Sequence, residues 1–182
     1  MNLKSNGSPI GARPASRPSA ENIRVLDLAF ADFARGLNDR ACSQVNEQVN
    51  LLLEKAEKIA DIYVLIQRVR QFYSKVPDPL SIRVRLCHGS LSIVWMRTCM
   101  HPITGGRYAV PIQKGNGTRY QYKELENYAC SWMRDVVQDC EDRFSEIRAL
   151  SLRLVQLRRS VGTKVAEMMQ ILEGALGPGL NG

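Results

Sequence analysis

The sequence predicts an α+β fold in which two long helical arms, forming an antiparallel helical pair, flank a three- or four-stranded antiparallel β-meander. Apolar residues recur every three or four positions on both sides of residues 80–122, the period of a helix buried along one face. Within 80–122 the apolar residues instead alternate with polar ones, as in a half-buried strand. Glycine and proline clusters separate the alternating stretches, so the strands are expected to follow one another through short turns.

The net charge is concentrated in the same central part of the chain. Residues 80–123 contain seven basic side chains and no Asp or Glu, while the whole chain has a formal net charge of +7. The rest of the chain therefore contains equal numbers of acidic and basic side chains. A local excess of this kind indicates a polyanionic partner rather than a general property of the surface.

The first helical arm is expected over residues 21–76. Its clearest part is an apolar seam from Cys42 to Tyr73, interrupted only by Arg70. Gly36, followed by polar residues that favour helix ends, predicts a kink or a short connection before this seam. Before that kink the apolar face is expected to consist of Leu26, Phe30, Phe33 and Leu37.

The meander is expected to begin with a hairpin. A two-residue turn at Gly89-Ser90 pairs Val84 with Trp95 and Ile82 with Arg97. This register places the apolar side chains of both strands on one face, where Trp95 joins the core and where Arg97 also falls. The opposite face is expected to show Arg83, Arg85, Val94 and Met96.

A third strand follows a glycine-containing loop, with Tyr108, Val110 and Ile112 on one side. Pro111 lacks a backbone N–H for the ladder, so this strand is expected at the edge of the sheet. Residues 118–122 are expected to form a fourth short strand or an extended lead-in to the next helix.

The second helical arm is expected over residues 123–175. With the first arm and the meander it forms a single elongated domain over residues 21–182, preceded by a disordered basic tail over residues 1–20. The arms carry more apolar positions than one partner helix can cover, which suggests homo-oligomerisation through them.

The sequence gives little support for catalysis, a cofactor or a metal. The two histidines, His88 and His101, fall in no metal-binding motif, and no phosphate-binding loop is present. Cys87 and Cys99 are expected at opposite ends of the hairpin, too far apart to complete a zinc site with these histidines. The acidic residues of the second arm, including Glu141, lie at spacings typical of a solvated surface. The chain is therefore expected not to be an enzyme.

DNA binding is better supported, because a basic, acid-free sheet with tyrosines among its arginines has the composition of a phosphate-contacting surface. The competing interpretation assigns the aromatic residues to the core. A cytoplasmic location without membrane association is expected, since no apolar run is long enough to span a bilayer. The residues predicted to contact nucleic acid are Arg83, Arg85, Arg107, Lys114, Arg119 and Lys123.

Short hydrophobic and aromatic signatures over about residues 45–150 resemble the MobI family of conjugative-transfer mobilisation proteins. They consist of Ser90-Leu91-Ser92-Ile93-x-Trp95, Ile112-Gln113-Lys114-Gly115, Tyr120-x-Tyr122, Trp132 and Glu141-x-x-Phe144-x-x-Ile147-Arg148.

The resemblance implies an auxiliary factor of conjugative plasmids or integrative elements, which are mobile genetic elements. Such a relaxosome accessory acts at the transfer origin and helps a separate relaxase to start DNA mobilisation. Together with the charge pattern, this predicts a non-enzymatic protein that binds duplex DNA through the sheet and a relaxase or other protein through the arms. The alternative is a coiled-coil interaction or adaptor protein whose basic sheet binds an acidic protein partner.

Overall fold

The computed structural model describes residues 20–176. The expected basic tail, apart from its last residue, lies outside these residues. The elements, in order, are α1 (Ala20–Ser74), β1 (Leu80–Cys87), β2 (Ser90–Met100), β3 (Arg107–Pro111), α2 (Tyr122–Glu126), a 3₁₀ turn (Ser131–Met133) and α3 (Arg134–Leu176).

The two long helices pack side by side in opposite directions. Arg70 near the end of α1 binds Asp135 at the start of α3, whereas Asn46, earlier in α1, accepts a hydrogen bond from Arg158, later in α3. The predicted antiparallel helical pair beside a three-stranded antiparallel sheet is therefore confirmed. At about 1.5 Å per residue, the 55 residues of α1 extend on the order of 80 Å.

The predicted short connection near Gly36 is wrong, because α1 is continuous through this position. A glycine inside a helix costs only about 1 kcal/mol relative to alanine, and the packing of the neighbouring turns offsets this. Ala31 and Ala34 are buried here, while Phe30 and Phe33 are 43% and 60% exposed. The predicted apolar face is therefore wrong for Phe30, Phe33 and Leu37, which face outward while small alanines line the packed side. The prediction for the Leu26 side chain lies outside the described part of the chain.

The sheet has the order β1-β2-β3, so β2 is central and β3 is at an edge, as its proline predicts. The hairpin register differs from the prediction by two residues. Ile82 pairs with Trp95 and Val84 with Ile93, because the turn consists of His88 and Gly89. Both turn residues have positive φ, 51° and 70°, which matches the right-handed twist of the flanking strands.

A two-residue shift leaves every side chain on its predicted face, since the side-chain period of a strand is two. Trp95 is fully buried and lies edge-on to Tyr63 of α1, with ring centroids 5.3 Å apart, and to Phe144 of α3, at 6.2 Å. Both long helices therefore pack on the same face of the sheet. We call this the packed face, and the opposite one the outer face.

The chain between β3 and α3 is less regular than predicted. Residues 118–121 form no strand, so the described sheet has three strands, and the second arm is divided into α2, the 3₁₀ turn and α3. The break occurs at Cys130, whose backbone is extended and whose N–H contacts Asp78 at 3.4 Å. The start of the second arm thus docks on the connection between α1 and β1.

Candidate nucleic-acid interface

Three of the six predicted contact residues lie together on the outer face. Arg83 is opposite Val94, Arg85 is opposite Ser92, and Arg107 of β3 is opposite Met100. All three arginines are exposed. No acidic side chain occurs on this face in any of the three strands, so their charge is not neutralised locally. The other outer-face side chains are Ser81, Cys87, Ser90, Thr98, Ala109, Pro111 and Met96, of which Met96 is buried.

The spacing of these arginines follows from strand geometry. Arg83 and Arg85 are neighbours on one face of β1, about 7 Å apart. Arg107 lies two strands away, and its partner on β2 is six residues beyond that of Arg83 and eight beyond that of Arg85. It is therefore roughly 22 Å from Arg83 and roughly 28 Å from Arg85. The outer face is thus wide enough to meet several phosphates within one turn of duplex DNA, about 34 Å long.

The other three predicted residues lie elsewhere. Lys114 follows β3 and lines a groove between β2 and α3, together with Arg148 and Arg159. Its pKa is lowered, first by burial and then by the positive charge of Arg148. Arg119 forms an ion pair with Asp142 of α3. Lys123 is exposed on α2.

Arg97 and most of the aromatic side chains belong to the packed side. The guanidinium of Arg97 lies 5.1 Å from the centre of the Tyr128 ring, so its predicted place on the packed face is confirmed. Tyr120 is buried, and desolvation raises its pKa. Of the tyrosines in the meander, Tyr108 is the exposed one, at 47%.

The sheet is fixed to α3 by a buried ion pair that was not predicted. Glu141 is 1% exposed and forms an ion pair with Arg148, whose side chain is 7% exposed. The same carboxylate accepts hydrogen bonds from the Trp95 indole at 2.8 Å and from the Tyr120 backbone N–H at 2.7 Å. Arg148 donates to the Thr118 carbonyl. The expectation that Glu141 is a solvated surface residue is therefore wrong, and its role is to position β2 and the loop before α2.

A second buried contact fixes β1 to α1. The Tyr63 hydroxyl donates to Asp78 Oδ2 at 2.6 Å, and Gln67 donates to the Leu80 carbonyl at 2.9 Å. Burial, followed by the negative charge of Asp78, raises the pKa of Tyr63 well above its usual value. Because the strand that carries Arg83 and Arg85 begins two residues after Asp78, this contact helps to set the orientation of the outer face.

Arg70, which interrupts the predicted apolar seam, has a specific partner. Its guanidinium donates two hydrogen bonds to Asp135, at 2.7 and 3.0 Å, and one to the Trp132 carbonyl. The hydrogen bond raises the pKa of Arg70 and lowers that of Asp135. Arg70 thus attaches the first turn of α3 to the last turns of α1.

The arms keep a long apolar surface exposed. On α1, large apolar side chains recur at steps of three and four residues near the sheet, and their exposed fractions lie between 51% and 79%. We call these residues the α1 stripe: Ile62, Leu65, Val69 and Phe72.

Other site types receive no structural support. Across residues 20–176, no three His, Cys, Asp or Glu side chains are grouped so that they could hold a metal ion. In the same part of the chain, no helix is both long and apolar enough to cross a membrane.

Comparison with protein families identifies a relationship. The family model described as MobI protein matches residues 52–162, more than half of the chain. The match runs from the middle of α1 through the sheet into α3, and it includes Arg83, Arg85 and the Glu141–Arg148 pair. Neither the curated proteins nor the solved structures contain a significant match.

Proposed function

The chain belongs to the MobI family of conjugative mobilisation proteins, and from this premise we propose that it is a non-enzymatic DNA-binding accessory factor. It acts at a transfer origin together with a separate relaxase. The observation that carries the DNA-binding part is the outer face of the sheet, which has three exposed arginines and no acidic side chain. A polyanion is the partner that such a face attracts most strongly.

Arg83 and Arg85 are the central contacts in this proposal. They lie on a strand that the Tyr63–Asp78 contact holds against α1, and their guanidinium groups point away from the packed core. Arg107 extends the contact toward the far end of β2. Phosphate contacts of this kind fix the position of a protein on DNA without reading its sequence. The proposal therefore concerns affinity for duplex DNA, with no base preference assigned.

The other predicted residues are expected to contribute less. Arg119 is engaged by Asp142, so its charge is partly neutralised before any DNA arrives. Lys123 and Lys114 lie on α2 and in the groove, outside the outer face. A duplex that bends around the edge of the sheet could reach Lys123, whereas Lys114 would require a different approach.

The protein partner is assigned to the arms. The end of α1 furthest from the sheet exposes Phe30, Phe33 and Leu37, a surface for a relaxase or another component of the transfer complex. The α1 stripe, at the other end, is assigned to a second copy of the chain. This arrangement leaves the outer face free for DNA.

The rival function is an adaptor whose basic face binds an acidic protein instead of DNA. The two proposals differ in the expected salt dependence. Each phosphate contact on duplex DNA contributes about −0.9 to the slope of log K against log salt concentration. Three outer-face arginines thus predict a slope of roughly −3.

The test is a fluorescence anisotropy titration with labelled duplex DNA across a salt series. Arg83→Glu/Arg85→Glu is expected to abolish binding at low salt. The matched control is Lys55→Glu/Lys58→Glu, which changes the net charge equally at two exposed positions on α1. It is expected to retain most of the affinity. If both variants lose the same affinity for DNA, the loss is due to the net charge of the chain and not to the outer face. A wild-type chain that binds no duplex at low salt would refute the proposal.

A further inference from the structure

Strand β2 is longer than the strand that covers one of its edges. β3 pairs with residues 96–100 of β2, and the last hydrogen bond on this side runs from the Ile112 N–H to the Trp95 carbonyl at 2.8 Å. Between Ser90 and Val94 no strand of the described chain lies on the β3 side. We call this part of β2 the open edge.

The ladder alternation determines which backbone groups face the open edge. Thr98 N–H donates to the Pro79 carbonyl, toward β1, while Trp95 accepts from Ile112, on the opposite side. Because the direction alternates along an antiparallel strand, Leu91 and Ile93 point their N–H and C=O groups toward the open edge. Among these groups, the Ile93 carbonyl receives a 3.4 Å hydrogen bond from Arg148. The described chain provides no partner for the Leu91 N–H, the Leu91 carbonyl or the Ile93 N–H.

A groove runs along the open edge, with α3 as its second wall. Its volume is about 740 Å³, and Leu91, Ile93 and Val155 contribute apolar surface. The charged side chains that line it are all basic, and no acidic residue is among its lining residues. These basic residues are Lys114, Arg148 and Arg159.

We propose that this groove binds an extended acidic peptide segment of a partner protein, which adds to β2 as a fourth strand. An unpaired strand edge offers N–H and C=O groups at the spacing of another peptide backbone. A DNA backbone has phosphate oxygens but no donors for the Leu91 carbonyl, so it matches this edge less well. Apolar side chains of the added strand would pack against Leu152, which is 51% exposed, and acidic ones would face Lys114 and Arg159.

The charge of the groove also argues against the chain's own ends as occupants. Residues 1–19 contain three basic and no acidic side chains, and residues 177–182 contain no charged side chain. Neither segment complements a basic groove. Burial and then the nearby charge of Arg148 lower the pKa of Lys114, and a bound carboxylate would favour its charged form.

This proposal is independent of DNA binding, since the open edge and the outer face use different residues. Hydrogen exchange in the free chain tests the edge itself. The amides of Leu91 and Ile93 are expected to exchange at least about tenfold faster than those of Ser92 and Val94, which donate toward β1. Equal protection of all four amides would mean that the edge is already covered. Protection that rises with protein concentration would identify a second copy as the occupant, and either result would overturn the proposal.

The binding test uses a fluorescein-labelled hexapeptide of alternating Glu and Val, with an alternating Lys and Val hexapeptide as the control. The acidic peptide is expected to bind and to slow exchange at Leu91 and Ile93. Lys114→Glu/Arg159→Glu, at two exposed side chains, is expected to weaken binding of the acidic peptide roughly tenfold or more. Arg83→Glu/Arg85→Glu is expected to leave peptide binding unchanged. The proposal fails if neither peptide binds, if both bind equally, or if the groove variant weakens duplex DNA binding but not peptide binding.

Discussion

Glu141 and Arg148, seven residues apart on α3, form a buried ion pair that connects α3 to the central strand and to the loop preceding α2. Removing one member of a buried pair leaves the other charge uncompensated, which typically costs about 3–5 kcal/mol. Glu141→Gln is therefore expected to lower the free energy of unfolding by about this amount, measured by urea denaturation.

The neighbouring acid provides the control for this prediction. Asp142 pairs with Arg119 at the surface, where both side chains are about half exposed. Asp142→Asn is expected to cost at most about 1 kcal/mol. If the two variants lose similar stability, the buried pair does not have the role assigned to it.

The same pair shows where sequence reasoning reaches its limit. The apolar seam of α3, with Phe144 and Ile147, could be read from its period, and so could the core position of Trp95. Glu141 and Arg148 lie beside this seam, seven residues or about two helical turns apart. Their burial depends on β2, which lies over them. No local pattern encodes that contact. The sequence signals were an acid and a base seven residues apart beside an apolar seam, and their place in the MobI-like signature that ends the resemblance.

The hairpin is an instructive case because the faces were predicted correctly from a wrong register. Glycine favours the second central position of a type I′ turn, which would have indicated His88-Gly89 rather than Gly89-Ser90. The alternation nevertheless placed Arg83 and Arg85 on the outer face.

Sequence could not reveal that Arg119 is paired with Asp142, since 23 residues separate them and the contact depends on how the loop returns to α3.

Tyr63 is expected to make the stability of the protein sensitive to alkaline pH. Its pKa is raised in the folded chain, so the stability it provides is complete below the unfolded pKa of about 10 and is lost as the pH rises above that value. The expected loss from this group totals about 1.4 kcal/mol between pH 9 and pH 11, and its slope approaches about 1.4 kcal/mol per pH unit only well above pH 10. Urea denaturation between pH 9 and pH 11 measures it.

Tyr63→Phe removes this titrating group and is expected to make the alkaline profile less steep, while burial of Cys140, which raises its pKa to about 12, keeps part of the slope. At neutral pH the same variant loses the hydrogen bond to the buried Asp78, at a cost of about 1–3 kcal/mol. Tyr108→Phe, at an exposed tyrosine, is the control and should keep the wild-type slope. A profile that is equally steep in Tyr63→Phe and in the wild type would contradict the assignment.

The Arg70–Asp135 pair predicts a smaller effect at acidic pH. The hydrogen bond from Arg70 lowers the pKa of Asp135, so its contribution is present above the unfolded value of about 3.9 and is lost as the pH falls through the lower folded pKa. Asp135 is 69% exposed, which limits the contribution to at most about 1 kcal/mol. In Arg70→Met the pKa of Asp135 should rise toward its ordinary value, as followed by carboxyl carbon NMR. It should not change in Arg119→Met.

The α1 stripe is expected to mediate association between two copies of the chain. Its residues alternate steps of three and four, the spacing of a helix that packs along another helix. Asp61 flanks one end of the stripe and Lys75 the other. An antiparallel second copy would therefore bring the acidic end of one stripe next to the basic end of the other. Self-complementarity of this kind favours a second copy over an unrelated helix.

Sedimentation velocity at increasing protein concentration tests this association. The wild type is expected to form dimers, and Leu65→Glu/Phe72→Glu is expected to remain monomeric with unchanged unfolding stability, since both side chains are more than half exposed. Leu157→Glu, at an exposed position on α3, is the control and should still dimerise. A wild-type chain that stays monomeric at high concentration would rule out the stripe as a self-association surface, and a Leu157→Glu monomer would move the interface to α3.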